Sequence, residues 1–321
     1  MRKAPIATAA AIALLMAVIA MPAAAKPRGV NGQIAFFRDD PSLSHVIYTI
    51  NPDGSHEHRL LPVDLAFPRW SPDGSAIVAD ATGAGDAGWI IDPDTAAHRA
   101  LSNPDPAAFD FFACGVPSPD FERLACVGGS DANPSVNGIY SVRTSDGGGL
   151  RRLTSDTIED PIGDFSPDGK RLVYSHFPAD FERAGLYVVN VNGTGARKIV
   201  PCCTSLGSWS PQGSQIVISR RANPDVHSTI WVVHSDGTGL RQIPVIGLNC
   251  GGQNTDPDAY GCTDPSWSPD GKKIVFRRTT PGVGEGGDLY TINADGTGLT
   301  QVTHDGDVET SDWGTHAIAV G

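Results

Sequence analysis

Ser71-Pro72-Asp73-Gly74 recurs along the chain as Ser118-Pro119-Asp120-Phe121, Ser166-Pro167-Asp168-Gly169, Ser210-Pro211-Gln212-Gly213 and Ser268-Pro269-Asp270-Gly271. Successive copies start 47, 48, 44 and 58 residues apart, inside or just above the period of one four-stranded propeller blade. A unit of that size cannot bury its apolar faces alone, so the copies must stack on one another. An aromatic residue precedes most of them: Trp70, Phe165, Trp209 and Trp267, with Trp313 repeating the position near the C-terminus.

The copy beginning at Asp264 shows the grammar of the unit. Asp264-Pro265-Ser266-Trp267 is a short strand entering the turn. Pro269 presets φ, Asp270 holds the next position and Gly271 takes the left-handed exit. Lys273-Ile274-Val275-Phe276 leaves as the antiparallel partner, β-branched and aromatic as strands prefer. Residues 288–292 form a third strand, Asp295-Gly296 a second tight turn, and residues 299–302 a fourth strand. Third strands are also expected over 46–50, 89–92, 139–142, 186–190 and 230–234, each followed by an Asp-Gly, Asp-Thr or Asn-Gly turn.

Six such turns predict an all-β, six-bladed β-propeller of four-stranded antiparallel blades. The chain enters at a second strand, residues 32–36, and Thr310-Ser311-Asp312-Trp313-Gly314 supplies the first strand that this blade lacks. The C-terminal strand therefore closes the ring and leaves no open sheet edge. Ala317-Ile318-Ala319-Val320 has no place in this scheme, and a seventh, incomplete blade is the rival count.

Arg2 and Lys3, an apolar run and Ala23-Ala24-Ala25 read as a cleaved signal peptide over residues 1–25, leaving 26–321 as one propeller domain. The protein is expected to be exported, to the periplasm or the extracellular space, as a monomer. The net charge of −12 becomes −14 once Arg2 and Lys3 leave. That excess opposes nucleic acid and anionic membrane surfaces, and no later segment is apolar enough to span a bilayer.

All six cysteines follow the signal, so disulfides are the default. The preferred pairs are Cys114 with Cys126, Cys250 with Cys262, and the adjacent Cys202 with Cys203; a bridge from Cys202 or Cys203 to Cys250 competes with the last. Cys114 and Cys126 flank the copy in which Pro117 replaces the aromatic and Phe121 the glycine.

The aromatic-Ser-Pro-Asp-Gly copies and Asp-Gly turns resemble the TolB-type, WD-like β-propeller repeat, from about Gly32 to Trp313. The resemblance implies six blades and a periplasmic protein that binds envelope partners. That family's α/β domain ahead of the propeller has no counterpart expected here. Similar blades also cap prolyl-oligopeptidase-like hydrolases.

Strand order places the tight turns on one face and the longer connections on the other, where binding is expected because loops on rigid scaffolds carry function. The candidate binding residues are Asp110, Asp160, Arg221, Asn254, Asp256, Asp258, Tyr260, His304, Asp307 and Glu309. An acidic rim there suits a basic peptide or Ca²⁺, although Asp and Asn also simply favour turns. Arg38, Arg220, Arg221, Arg277 and Arg278 follow second strands toward the same mouth. No catalytic residue and no metal ligand is assigned: a Gly-x-Ser-x-Gly elbow is absent, and His56-Glu57-His58 reads as part of a hairpin. The leading expectation is a non-enzymatic scaffold that recognises a protein or peptide on the long-loop face. The alternative is a lyase or hydrolase acting on a polysaccharide or glycoside at the channel mouth.

Overall fold

A computed structural model describes residues 29–81, 86–155, 161–178, 182–201, 206–223, 225–253, 260–279 and 286–319. The segment expected as a signal, residues 1–25, and Asp160, Cys202, Cys203, Asn254, Asp256 and Asp258 lie outside these residues. Within them the structure is almost wholly β, with one 3₁₀ turn at Pro134–Val136.

Each repeat folds as an antiparallel meander, because a tight turn between alternating β-formers pairs each strand with the next. The second blade runs Leu65–Trp70, Ile77–Ala81, Asp86–Ile91 and His98–Ser102; the third runs Phe111–Pro117, Arg123–Gly129, Gly138–Arg143 and Arg151–Arg152. The fourth is Ile162–Phe165, Arg171–His176, Gly185–Asn190 and Arg197–Pro201; the fifth is Ser208–Trp209, Gln215–Arg220, Thr229–His234 and Arg241–Gln242.

The C-terminal strand Val308–Trp313 pairs with Ile34–Asp40, setting Trp313 opposite Ile34. The first blade is completed by Ser44–Ile50 and His58–Arg59, so the tail does close the ring. The expectation of six separate sheets is corrected. Four blades stand alone, whereas Cys262–Trp267, Lys273–Thr279, Gly287–Asn293 and Thr300–Gln301 share one eight-stranded sheet with the first blade. The link is a single pairing, Gly287 opposite Val308. Thr300–Gln301 covers only Tyr290 and Thr291, so the open edge at Gly287 is free to accept the neighbouring strand.

The turn sequence is explained by its hydrogen bonds. Ser71 Oγ donates to Asp73 Oδ1 at 2.7 Å and accepts the Ala76 N–H at 2.9 Å, while Asp73 accepts the Ser75 N–H at 3.0 Å. The same Ser–Asp contact returns at Ser118, Ser166 and Ser268. Gln212 replaces the acid in the fifth blade, and there Ser210 keeps only its role as acceptor for the Gln215 N–H. Phe121 takes the left-handed exit of its turn at φ 55° without being glycine.

Apolar side chains gather between neighbouring blades. Phe37, Leu65 and Trp70 join the first blade to the second, and Ile34, Val275 and Trp313 join the last repeat to the first. Cys114 and Cys126 lie directly opposite in register, 4.0 Å apart at Cα, and are bonded inside the core between the second and third blades. Cys250 and Cys262 are also bonded, tying the long connection to its strand.

Residues 317–319 form no strand. The tail crosses the tight-turn face, with His316 stacked on Trp70 at 5.1 Å and Asn51 bonded to both the N–H and the carbonyl of Ala319. Gly314 permits the crossing, since a Cβ there would lie 2.3 Å from Trp70 Cγ.

Candidate functional site

The innermost strands line the channel, and most of them are bulged. Register shifts fall between Ala66 and Arg69, Cys114 and Val116, Ile162 and Asp164, and Thr263 and Ser266. Such bulges bend a strand and re-aim its side chains. The residue just before the aromatic position is Arg69, Val116, Asp164, Ser208, Ser266 or Asp312 in successive repeats.

At most junctions this residue ties one repeat to the next. Asp312 accepts the Trp70 N–H at 3.0 Å and the Ser266 hydroxyl at 3.0 Å. Asp164 accepts the Trp209 N–H at 3.3 Å, and Ser208 accepts that of Trp267 at 3.4 Å. The belt breaks at Arg69 and Val116: valine has no group to offer, and the Arg69 guanidinium lies 3.8 Å from Asp312 on its other side.

A cavity of ≈ 220 Å³ opens where the belt is broken. The second blade contributes Phe67, Arg69 and Asp80; the third contributes Gly115, Val116 and Val127; Ile162 and Leu206 complete the wall. Leu206 and Pro161 sit at the entry ends of their strands, so the cavity faces the long-loop side. Toward the tight-turn side, Trp70, Trp209 and the turn prolines leave only ≈ 20 Å³, about the room of one water molecule.

Three features set this cavity apart. Phe67 is 46% exposed, adopts φ 52° and is braced by an edge contact with Phe37 at 5.4 Å. A positive φ at a bulky aromatic is a strained conformation that surrounding structure must enforce. Burial in this apolar wall pushes the Asp80 carboxyl up to about 6, and only a hydrogen bond from the Ala81 N–H works against that. Among the described residues no cation pairs with Asp80. At Gly115 a Cβ would meet nothing nearer than 4.0 Å, so the floor of the cavity is a missing side chain.

The TolB beta propeller domain profile matches residues 68–316. The chain belongs to the TolB β-propeller family. No curated protein sequence matches it significantly. Among solved structures it is similar to TolB from Acinetobacter baumannii, with 18% identity, a TM-score of 0.68, and coverage of 90% of this chain and 67% of that one. The putative TolB from Agrobacterium tumefaciens gives 17% identity, a TM-score of 0.61, and coverage of 88% and 98%. An oligogalacturonate lyase in complex with manganese gives 15%, 0.54, 82% and 74%. At such identities these likenesses speak for the fold alone.

On this TolB propeller the described residues among those expected from sequence, Asp110, Arg221, Tyr260, His304, Asp307 and Glu309, do not gather into one cluster. Asp110 is exposed and holds the Ser130 hydroxyl at 2.7 Å and the Asp131 N–H at 2.9 Å, which keep its carboxyl below the ordinary range. Tyr260 lies beneath the Arg278 guanidinium at 3.5 Å from the ring centre. Arg221 and His304 are exposed.

Two arginines pair with the acids of the loop after Gln301. Arg38 reaches Asp305 at 2.6 Å, Glu57 at 2.8 Å and Asp307 at 3.4 Å. Arg277 reaches Glu309 at 2.8 Å and Asp264 at 3.0 Å. Burial raises Glu57 and Asp307 above their usual range, more than Arg38 lowers them. Glu57 thus belongs to an ion pair, apart from His56, which bonds Asn51 and Ser55 in the turn. Among the described residues no three His, Cys, Asp or Glu side chains are grouped to hold a metal ion.

Phe67, Arg69, Asp80 and Gly115 were missed from sequence. The available signal was positional: Arg69 and Val116 stand where the repeat otherwise places Asp or Ser.

Proposed function

We propose that this TolB-family propeller is an exported, non-enzymatic binding module that recognises a protein or peptide on its long-loop face, anchored in the cavity at Phe67, Asp80 and Gly115. The eight-stranded sheet is read as two sectors joined at Gly287 and Val308, giving six sectors around the channel. The carrying observation is the cavity itself. Its ≈ 220 Å³ falls below the roughly 300–1,000 Å³ of sites for drug-sized ligands, and it opens onto a broad loop surface. That is room for one or two side chains of a larger partner. The bonded Cys114 with Cys126 and Cys250 with Cys262 support an oxidising destination.

The test uses Gly115→Val, which fills the floor without disturbing a charge or a hydrogen bond. Random heptapeptides displayed on phage are selected on the oxidised wild-type chain, and synthetic copies are then titrated against both proteins. The reading requires binders whose affinity falls at least tenfold on Gly115→Val while its melting temperature stays at or above that of the wild type. Binders indifferent to Gly115→Val, or none at all, would remove it.

One observation favours an enzyme: a carboxyl raised to about 6 in an apolar wall is the environment of a general acid. A lyase or hydrolase acting on polyuronate or glycoside would use Asp80 as that acid. Product release from such polymers by wild type, lost in Asp80→Asn, would establish this reading instead. The binding reading is preferred because, among the described residues, only two ionisable side chains, Arg69 and Asp80, meet in the cavity.

A further inference from the structure

The repeat provides an internal control for the cavity. Three residues beyond the strand partner of the aromatic position, the second strand carries Phe37, Asp80, Val127, Ser175, Ser219 or Arg277 in successive repeats. Position three before the aromatic is Phe67 in the second blade and Asp264 in the last repeat, and both take the same left-handed backbone, φ 52°. In the last repeat these two positions hold an ion pair, Arg277 with Asp264 at 3.0 Å. In the second blade the first carries the opposite charge and the second an apolar ring. The corner that the protein closes with its own arginine in one place is left as an acid beside an aromatic in the other.

Among the described residues no cation completes it. Arg69 shares the cavity but leans toward Asp312 at 3.8 Å. Outside the first 28 residues, none of the segments beyond the described residues contains lysine or arginine. The exposed face of Phe67 lies open in the same wall, and an aromatic face attracts both an alkyl stem and the cation that it carries.

Building on the binding reading, we propose that the partner inserts a basic side chain, lysine or arginine, whose stem lies on Phe67 and whose charged head pairs with Asp80. The anchor explains why the corner is unfinished: the missing cation arrives with the ligand. It also makes binding sensitive to acid. Asp80 titrates near 6, so the pair weakens as pH falls below that value. The ionisable residues on the two strands paired with that of Asp80 are Arg69, which shares the cavity, and Asp86, which accepts the Trp89 indole N–H at 3.1 Å. The third blade's inner strand Phe111–Pro117 presents none.

The experiment is a double-mutant cycle on the full oxidised chain. Peptides selected on wild type, and sensitive to Gly115→Val, are resynthesised with each lysine or arginine replaced by norleucine. All are titrated against wild type and Asp80→Asn. One basic residue should be shared by the binders, its replacement should cost at least tenfold on wild type, and the cost should vanish on Asp80→Asn. Wild-type affinity should fall roughly tenfold from pH 7 to pH 5, following the ionised fraction of a group near 6, and stay level in Asp80→Asn. Binders that depend on Gly115 but lack a shared basic residue, or whose losses are additive with Asp80→Asn, overturn the basic anchor and leave the binding module standing. Binders indifferent to Gly115→Val overturn both.

Discussion

Replacing Asp80 by asparagine should make this protein more stable at neutral pH, and the size of the gain follows from the structure. The carboxyl is pushed from 3.8 to about 6 by its apolar surroundings, so ionising it costs more in the folded chain than in the unfolded one. At about 1.36 kcal/mol per unit, the penalty above pH 6 approaches roughly 3 kcal/mol, and about 2 is expected where the open cavity admits water. The sign is fixed by the direction of the shift. Between pH 4 and 6 the unfolded chain releases this proton first, so wild-type stability falls across that window. Below about pH 3 both states hold the proton and the penalty is gone.

Asparagine keeps the shape and one carbonyl oxygen but never ionises. Urea denaturation of the oxidised protein at pH 7.5 should therefore place Asp80→Asn above wild type by about 2–3 kcal/mol with an unchanged m value. Its melting temperature should rise by roughly 5 °C. At pH 3 the two midpoints should nearly coincide. Equal stability at pH 7.5 would show that Asp80 is solvated or paired, and an undiminished gain at pH 3 would show that ionisation is not its cause; either result would refute the argument. A destabilising charge retained at a cavity mouth is the expected mark of function, because activity is where stability is commonly given up.

Other consequences are simpler to measure. Cys126→Ser should lower the stability of the oxidised protein by about 2–4 kcal/mol and leave the reduced protein nearly unchanged, which melting curves with and without reductant will compare. Gly314→Ala should cost about 1–3 kcal/mol through overpacking, because its new Cβ would sit 2.3 Å from Trp70; Trp70 fluorescence on unfolding is a suitable readout. Ser268→Ala removes the hydroxyl that bonds Asp270 and the Lys273 N–H, a loss of roughly 1–2 kcal/mol by denaturant titration. Burial opposes the charges of Asp73, Asp168 and Asp270, yet hydrogen bonds from the turn serines and backbone outweigh it and hold them below the ordinary range. Their contribution is complete above about pH 4 and fades as pH falls through the folded values, so acid midpoints of turn-serine variants should converge on wild type there.

Local chemistry was readable from the chain because it repeats. Each Ser-Pro-Asp-Gly copy carries its own turn, and the alternating residues beside it can only pair with their neighbours. The partner strand missing at residue 34 and supplied near Trp313 was equally legible, since the motif identifies its own register. Cys114 and Cys126 could be matched because a two-stranded hairpin sets them opposite whatever the rest of the molecule does. The separation of the sheets was not readable: a single backbone pairing, Gly287 with Val308, fuses two of the meanders, and no sequence period announces one hydrogen bond.

The candidate site was decided at a longer range. Asp312 and Trp70 are 242 residues apart and meet only because the ring curls back on itself. Whether an acid at a loop is free or neutralised depends on such meetings: Arg38 and Arg277 claim Asp305, Asp307 and Glu309, whereas Asp80 in the next blade is left with an aromatic ring. The amino-acid order by itself determined the repeat and the turns, which need only neighbours in sequence, and the closure, because the motif at Trp313 marks the strand missing before Ile34. Tertiary structure alone decided which charge faces a cavity and which is paired, because burial and pairing are set by what curvature brings together.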